Sequence, residues 1–369
     1  MNLDQALSSC HTQEAFGCAP GSLKLALVGG FSGTAVAQSL LRAARAANIR
    51  CSTFDVASAY GKNRVLQALS WRLRDKKPLN FNQFCASVVM RCTDECPQVL
   101  VITGSAPLTA GALDGLRSQG VVCINYSTDD PWSPTMRAKW YLHALPHYDV
   151  VFTPRRSNIE DMLQLGCREA RYLPFGYDEF LFDSSLGRAT AESPPEVLFV
   201  GGADRDRIAF MNEFVGDGPI VSLVGGYWPK DRGLRKYALG FKGPAELFAL
   251  TKAAAVNLIL VRRANRDGHV MRTFEAGAIG GCLAVENTAE HREIFGSEGE
   301  TVRYFRTPSE AATLCRTLIA HPAERLRLAT AVKTRIREGA NTYADRLRTI
   351  LAIAAEIRRG AHRKCGAPS

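Results

Sequence analysis

An α/β protein built of two similar halves is the fold class that this sequence predicts, and three observations carry the expectation. A continuous apolar run ends in Gly-Gly in each half, at 25–28 before Gly29-Gly30 and at 197–200 before Gly201-Gly202, and 221–224 before Gly225-Gly226 states the pattern a third time. Apolar runs of strand length recur with helical periodicities between most of them, the order that builds parallel sheets. The stretch 267–295 lays loop, short helix, Gly-Gly and buried strand end to end, which is one crossover step of such a sheet. The expected architecture is two Rossmann-like domains facing one another across a cleft.

Composition sets the limits. At 369 residues the chain has room for two ordinary domains, each able to bury a core. Hydrophobic residues at 46% and charged residues at 22% mark a globular rather than a disordered chain. No apolar run reaches the length of a membrane span, and the N-terminal stretch, with Asp4 and Glu14 and no apolar block, does not read as a secretory signal. Eleven cysteines spread singly fit reduced thiols, so the cytoplasm is the expected compartment. The formal charge of +10 asks for an anionic partner, but the basic clusters at 262–263, 325–337 and 358–364 lack interleaved aromatics. Nucleic acid is therefore disfavoured, while peripheral contact of the basic C-terminal end with anionic lipid stays open.

In the first half, the strand at 25–28 leads into Gly29, Gly30 and Gly33 and then a helix with Val36, Leu40 and Ala44 on one face. The loop suits close approach of a ligand but fails the dinucleotide fingerprint, whose later glycines would fall at Phe31 and Thr34. A dinucleotide oxidoreductase is disfavoured accordingly. Strands follow at 99–103, 121–125, 150–153 and 170–173. The run 128–132, with Asp129 and Asp130, sits at a carboxyl strand end, where open sheets present ligand groups and where Asp-Pro also makes a simple turn. His143 and His147 are separated by a helix-breaking Pro146, and Cys92 and Cys96 have no second pair, so no metal site is expected. The small-residue, proline-containing run 184–195 reads as a linker, giving an N-terminal domain over 1–192 and a second domain over 193–342.

The second half repeats the design. Asp204, Arg205, Asp206 and Arg207 follow its first Gly-Gly, and a guanidinium there is suited to hold two oxygens of a diphosphate. Trp228 is either a stacking surface or a half-buried loop aromatic, and Lys230 offers a further positive charge. Beyond Pro308 the pattern is helical to about Ile357. The last helix, 343–357, is expected to pack back on the N-terminal domain, with a disordered basic tail over 358–369.

In 267–295, Gly280-Gly281 stops a helix whose Val270, Phe274 and Ala278 share an apolar face, and Arg272 and Glu275, three apart, share another. A carboxylate near a helix start suits the two hydroxyls of a ribose, and an arginine with free backbone N–H groups suits phosphate. A solvated surface pair is the alternative on spacing alone.

The run RTFEAGAIGG, with Asp267 and Glu275 bracketing seven residues, resembles the donor-binding segment of GT-B fold glycosyltransferases of the group 1 type. With EIFG downstream it is similar, more narrowly, to the spore maturation protein CgeB-like glycosyltransferases. The first carboxylate of the motif is usually Glu; here it is Asp267, one methylene shorter. The resemblance covers roughly 121–296 and is strongest over 272–296. It implies a metal-independent, cofactor-free transferase that moves a sugar, with retention, from a UDP- or GDP-sugar to a glycan, lipid-linked or protein acceptor. Glu275 would bind the ribose, and Arg272, Arg207, Arg205 and Lys230 would serve the diphosphate. Asp267 would hold the sugar hydroxyls and Asp129 and Asp130 would orient acceptor or sugar, while the Gly29, Gly30 and Gly33 loop closes on the donor. The rivals are a GT-B sugar-nucleotide epimerase and a silent nucleotide-sugar or glycan-binding module.

Overall fold

The computed structural model describes residues 23–61, 64–181 and 193–365. The chain divides into two compact units, one of Met1–Pro174 with Tyr343–Ser369, the other of Phe175–Thr342.

The first unit holds strands β1 (Lys24–Gly29), β2 (Arg50–Asp55), β3 (Val99–Thr103), β4 (Val122–Tyr126), β5 (Val150–Thr153) and β6 (Ala170–Tyr172) in one parallel sheet, order β2-β1-β3-β4-β5-β6. Its helices are α1 (Val36–Ala46), α2 (Arg64–Leu73), α3 (Phe81–Glu95), α4 (Ala110–Ser118), α5 (Lys139–Ala144) and α6 (Ser157–Gln164). The sequence shows why the middle of this sheet is the core. LALV of β1, VLVI of β3 and VCINY of β4 are buried end to end, as strands covered on both faces must be, whereas RCSTFD of the edge strand β2 is half-buried or exposed at every position but Phe54. A long helix, Tyr343–Cys365, completes the unit by packing on α1 and β4.

The second unit holds β7 (Val197–Val200), β8 (Val221–Val224), β9 (Ala238–Gly240), β10 (Val256–Ile259), β11 (Leu283–Glu286) and β12 (Arg303–Phe305), again all parallel, in the order β12-β11-β10-β7-β8-β9. Helices α7 (Arg205–Asp217), α8 (Pro244–Ala253), α9 (Met271–Ile279), α10 (Ala289–Phe295), α11 (Pro308–Ala320) and α12 (Pro322–Glu338) cover it, so that the 343–365 helix is α13. The chain runs outward from β7 through β8 to β9, then restarts on the other side of β7 with β10. That reversal leaves a crevice at the carboxyl ends of β7 and β10, the place where open α/β sheets take ligands.

Two expectations need correction. The division between units falls after Pro174, not at Ser193: the Pro174 carbonyl accepts from Tyr126 Oη and Arg346 Nε within the first unit, while the Phe175 N–H already donates to His269 within the second. Most of the expected linker over 184–195 falls within 182–192, outside the described residues. The tail expected to be disordered from Arg358 continues α13 to Cys365. No proline interrupts it, and basic residues near a helix C-terminus are favoured by the macrodipole. Residues 366–369 lie outside the described part.

Candidate functional site

The short helix α9 is framed by its own sequence. Thr273 Oγ1 accepts from the Val270 N–H at its start, and Gly280, at φ 88°, caps its end by donating to the Ala276 and Gly277 carbonyls. Gly277 lets α12 lie directly on it: a Cβ there would stand 2.8 Å from Ile336 Cγ1. With the sheet on one side and α12 on the other, every residue from Thr273 to Ile279 is buried. The apolar face expected from Phe274 and Ala278 is thus only part of the buried surface.

Glu275 shares that burial, at 2% exposure, so Arg272 and Glu275 are not a solvated surface pair. Arg272 Nη1 lies 2.9 Å from Glu275 Oε2, yet that oxygen has no hydrogen-bond partner. Burial pushes the Glu275 carboxyl above its ordinary range; Arg272 opposes the shift and Asp178 adds to it. A buried carboxylate oxygen with a cation on one side and no hydrogen bond is an acceptor held ready for hydroxyl donors.

The loop ahead of α9 is clamped by residues that sequence reasoning missed. His269, fully buried, has Nδ1 2.5 Å from Glu290 Oε2, and its Nε2 accepts from the Phe175 N–H at 3.1 Å, which leaves the ring proton on Nδ1. Glu290 closes on the loop so tightly that a Cβ on Gly268 would meet its carboxyl at 2.4 Å. Thr288 Oγ1 donates to the Gly268 carbonyl, and buried His291 touches Thr273 Oγ1 and the Glu286 carbonyl. Asp267 lies within this clamped loop, its N–H on the Arg262 carbonyl. A histidine between the two spaced acidic residues was the one signal available, and its partner Glu290 lies 21 residues on.

At the crevice the cations are arranged differently from expectation. Asp204 caps α7 through the Arg207 N–H. Arg207, the arginine preferred for a diphosphate, is buried: Nη1 donates to the Gly202 carbonyl and Nη2 to the Leu260 carbonyl, and the guanidinium lies over the Phe199 ring. It ties the ends of β7 and β10 together, with two of its nitrogens committed to backbone. Burial and the neighbouring Arg262 push its pKa down to about 10. Arg262, not singled out from sequence, is the better-exposed cation there, with Nε 3.3 Å from Asp204 Oδ2. Arg205 is exposed on the first turn of α7, and Lys230 is exposed with its ammonium over the Tyr227 ring. Trp228 is neither a stacking surface nor half-buried; it is fully buried, with Nε1 donating to the Gly201 carbonyl at 2.7 Å. A pocket opens here, lined among others by Arg207, Phe210, Leu260, Arg263 and Glu286.

In the first unit, Gly29 is required by packing, since a Cβ would meet Thr103 Oγ1 at 2.1 Å and Ala37 Cβ at 2.5 Å. Gly33 adopts φ 56° in the following turn, and Gly30 is half-buried with room beside it. The acidic pair separates. Asp129 lines a small pocket with Ser105, Ser127 and Tyr141. Asp130 is 1% exposed and turned into its own loop, where Oδ1 accepts from the Trp132 N–H and from Asn158 Nδ2. Asp130 thus holds its own turn, the plain role that an Asp-Pro pair also offers.

Comparison with known proteins adds to this geometry. A family model described as Glycosyl transferase-like matches residues 207–352, the segment that carries α9. By sequence, no curated protein matches the chain. Among solved structures, sucrose-phosphate synthase from Thermosynechococcus elongatus is similar with a TM-score of 0.63 at 14% identity, over 92% of this chain and 100% of that one. Anabaena HepE in complex with UDP-glucose gives 0.58 at 13% identity, over 90% and 99%. A Listeria monocytogenes protein assigned as a UDP-N-acetylglucosamine 2-epimerase gives 0.51 at 12%, over 94% and 98%. With two parallel six-stranded sheets, each in its own Rossmann-like domain, the chain has the GT-B fold.

Proposed function

We propose that this protein is a glycosyltransferase that moves a sugar from a nucleotide diphosphate-sugar, UDP-linked in the first instance, to an acceptor hydroxyl, without a metal and with retention. One observation carries the reading: the buried Glu275 carboxylate, with an oxygen lacking a hydrogen bond, stands on the first turns of α9 inside the segment that matches the Glycosyl transferase-like model. The narrower placement in the CgeB-like group rests on RTFEAGAIGG. UDP comes first because a fold relative is described in complex with UDP-glucose.

In this reading Glu275 accepts from the two ribose hydroxyls. Arg272 and Arg262 face the diphosphate as fixed positive charge, supported by Arg205 and Lys230, and stabilise the leaving group without reorganisation. Arg207 holds the strand ends that place Arg262. Asp267 is assigned to the sugar hydroxyls, in a loop kept rigid by His269 and Glu290. Asp129 is assigned to the acceptor side, Gly29, Gly30 and Gly33 to the donor, and a glycan, lipid or protein to the acceptor.

The test is incubation with UDP- and GDP-sugars in the presence of EDTA, followed by product analysis. Release of nucleoside diphosphate, by transfer or slow hydrolysis, supports the proposal. An epimerised sugar nucleotide as the sole product would favour the epimerase that the Listeria relative suggests. Binding with no turnover would leave a silent module.

A further inference from the structure

The His269 imidazole is engaged within the second unit at both of its nitrogens. Nδ1 donates to the Glu290 carboxylate at 2.5 Å, and Nε2 accepts from the Phe175 N–H at 3.1 Å. The ring is buried, with the rings of Phe175 and Phe274 set edge-to-face against it at 5.7 and 5.5 Å. The acceptor bond ties this geometry to one charge state. Only a neutral imidazole has a lone pair to offer, since both nitrogens of the imidazolium donate. A proton on Nε2 would turn one N–H against another across 3.1 Å, and in a buried site the two unpaired donors carry the full desolvation penalty.

The loop around His269 has no slack to absorb that change. Glu290 packs so closely that a Cβ on Gly268 would stand 2.4 Å from its carboxyl carbon, and Thr288 Oγ1 holds the Gly268 carbonyl at 2.6 Å. Release of Phe175 therefore shifts the loop as a piece. Its ends are Asp267 and Val270, the latter capping α9 with its N–H on Thr273 Oγ1, so the shift reaches the turns that carry Arg272 and Glu275. The elements around the ring carry charges of both signs. Glu290 on α10, Asp267 in the loop, Asp178 after Phe175 and an ionised Glu275 on α9 favour a proton on the ring, and Arg272 on α9 opposes it. Glu290, in direct contact, outweighs the others. His291, its neighbour on α10, stays neutral, because burial lowers its pKa to about 4.

We propose that His269 is a positioning residue of the donor helix that holds its loop only as the neutral imidazole, so that one proton taken up on Nε2 frees Phe175 and lowers nucleotide affinity. This rests on the reading of α9 as the nucleotide-binding helix, but its first test needs no nucleotide.

The experiment follows the full-length protein by NMR from about pH 8 to about pH 5, reading the ring nitrogens of labelled histidine and the Phe175 amide. Calorimetric titration of UDP over the same range follows. Glu290→Gln keeps an acceptor for Nδ1 and removes its charge, whereas His269→Gln keeps an acceptor for Phe175 and removes the titration; thermal melts check that both variants fold. The expected result in wild type is one midpoint shared by Nε2, the Phe175 amide and a roughly tenfold loss of UDP affinity. In Glu290→Gln all three move down together by about 1–3 pH units, and in His269→Gln the step is absent. A Phe175 amide indifferent to the ring's protonation would overturn the proposal. So would acid weakening of UDP binding that stays in place in Glu290→Gln, which would trace it to Glu275 itself. Both results leave the nucleotide reading standing; a wild type that binds no UDP at any pH would remove that reading, and this proposal with it.

Discussion

Glu275 is pulled in two directions, and both can be measured. Its carboxyl is held above the ordinary range by burial, with Arg272 as the counterweight. The folded state therefore keeps a proton that the unfolded chain has already released, so this group's stabilisation is present below the ordinary carboxyl pKa and is lost as pH rises through the raised value. Glu275→Gln should raise the melting temperature at neutral and alkaline pH while weakening nucleotide binding, the trade expected of a binding residue. A thermal melt and a titration on the same variant check both halves. His291 has the opposite sign. Burial lowers its pKa from 6.5 to about 4, so stability falls as pH drops through that window, by at most about 3 kcal/mol from this residue. Denaturant unfolding at neutral and mildly acidic pH should show the loss in wild type and a flatter profile in His291→Gln. Spacing alone made Arg272 and Glu275 legible in the sequence, because three residues along a helix bring side chains together. Their burial was not legible, since it depends on α12, which arrives some fifty residues later in the chain. Asp129 and Asp130 could not be told apart for a similar reason: only the fold shows that one lines a pocket and the other closes a turn.

Among the elements, α9 depends on close approach. Gly277→Ala would set a methyl group 2.8 Å from Ile336 Cγ1, an overpacking that costs about 1–3 kcal/mol. Pairing it with Ile336→Ala reopens the space, so the double variant should lose less stability than the sum of the two single changes, as a double-mutant cycle in denaturant would show. Additive losses would mean that α9 and α12 do not meet at these atoms. The stop of α9 was readable from Gly280-Gly281, and the strands of both sheets from their unbroken apolar runs. The end of α13 was not, because a basic stretch lacking apolar periodicity gives no sign of whether a preceding helix carries on through it. Arg207 shows the limit from another side. An arginine after Gly-Gly fits an anion and a strand clamp equally well, and only the fold shows its bonds to the carbonyls of Gly202 and Leu260.

For the whole molecule, the repeated strand-Gly-Gly pattern was enough to foresee two Rossmann-like units, and the resemblance carried by RTFEAGAIGG implied the GT-B arrangement of them. The point where the chain passes between them was less visible, because it is set by which unit hydrogen-bonds Pro174 and Phe175 rather than by linker composition. A nucleoside diphosphate that binds the native protein should stabilise it by about 2.7 kcal/mol at about 100 times its dissociation constant. A thermal-shift panel of nucleoside diphosphates should therefore show one clear winner, expected to be UDP. The most direct trial of the account is calorimetric titration of that diphosphate, in EDTA, into wild type and Glu275→Ala. Loss of a charged hydrogen-bond acceptor should weaken affinity in the variant by roughly tenfold to a hundredfold, with wild-type binding unaffected by the chelator. Equal affinity in the two proteins would contradict the assignment of the ribose to Glu275, and with it the reading of α9 as the donor-binding helix.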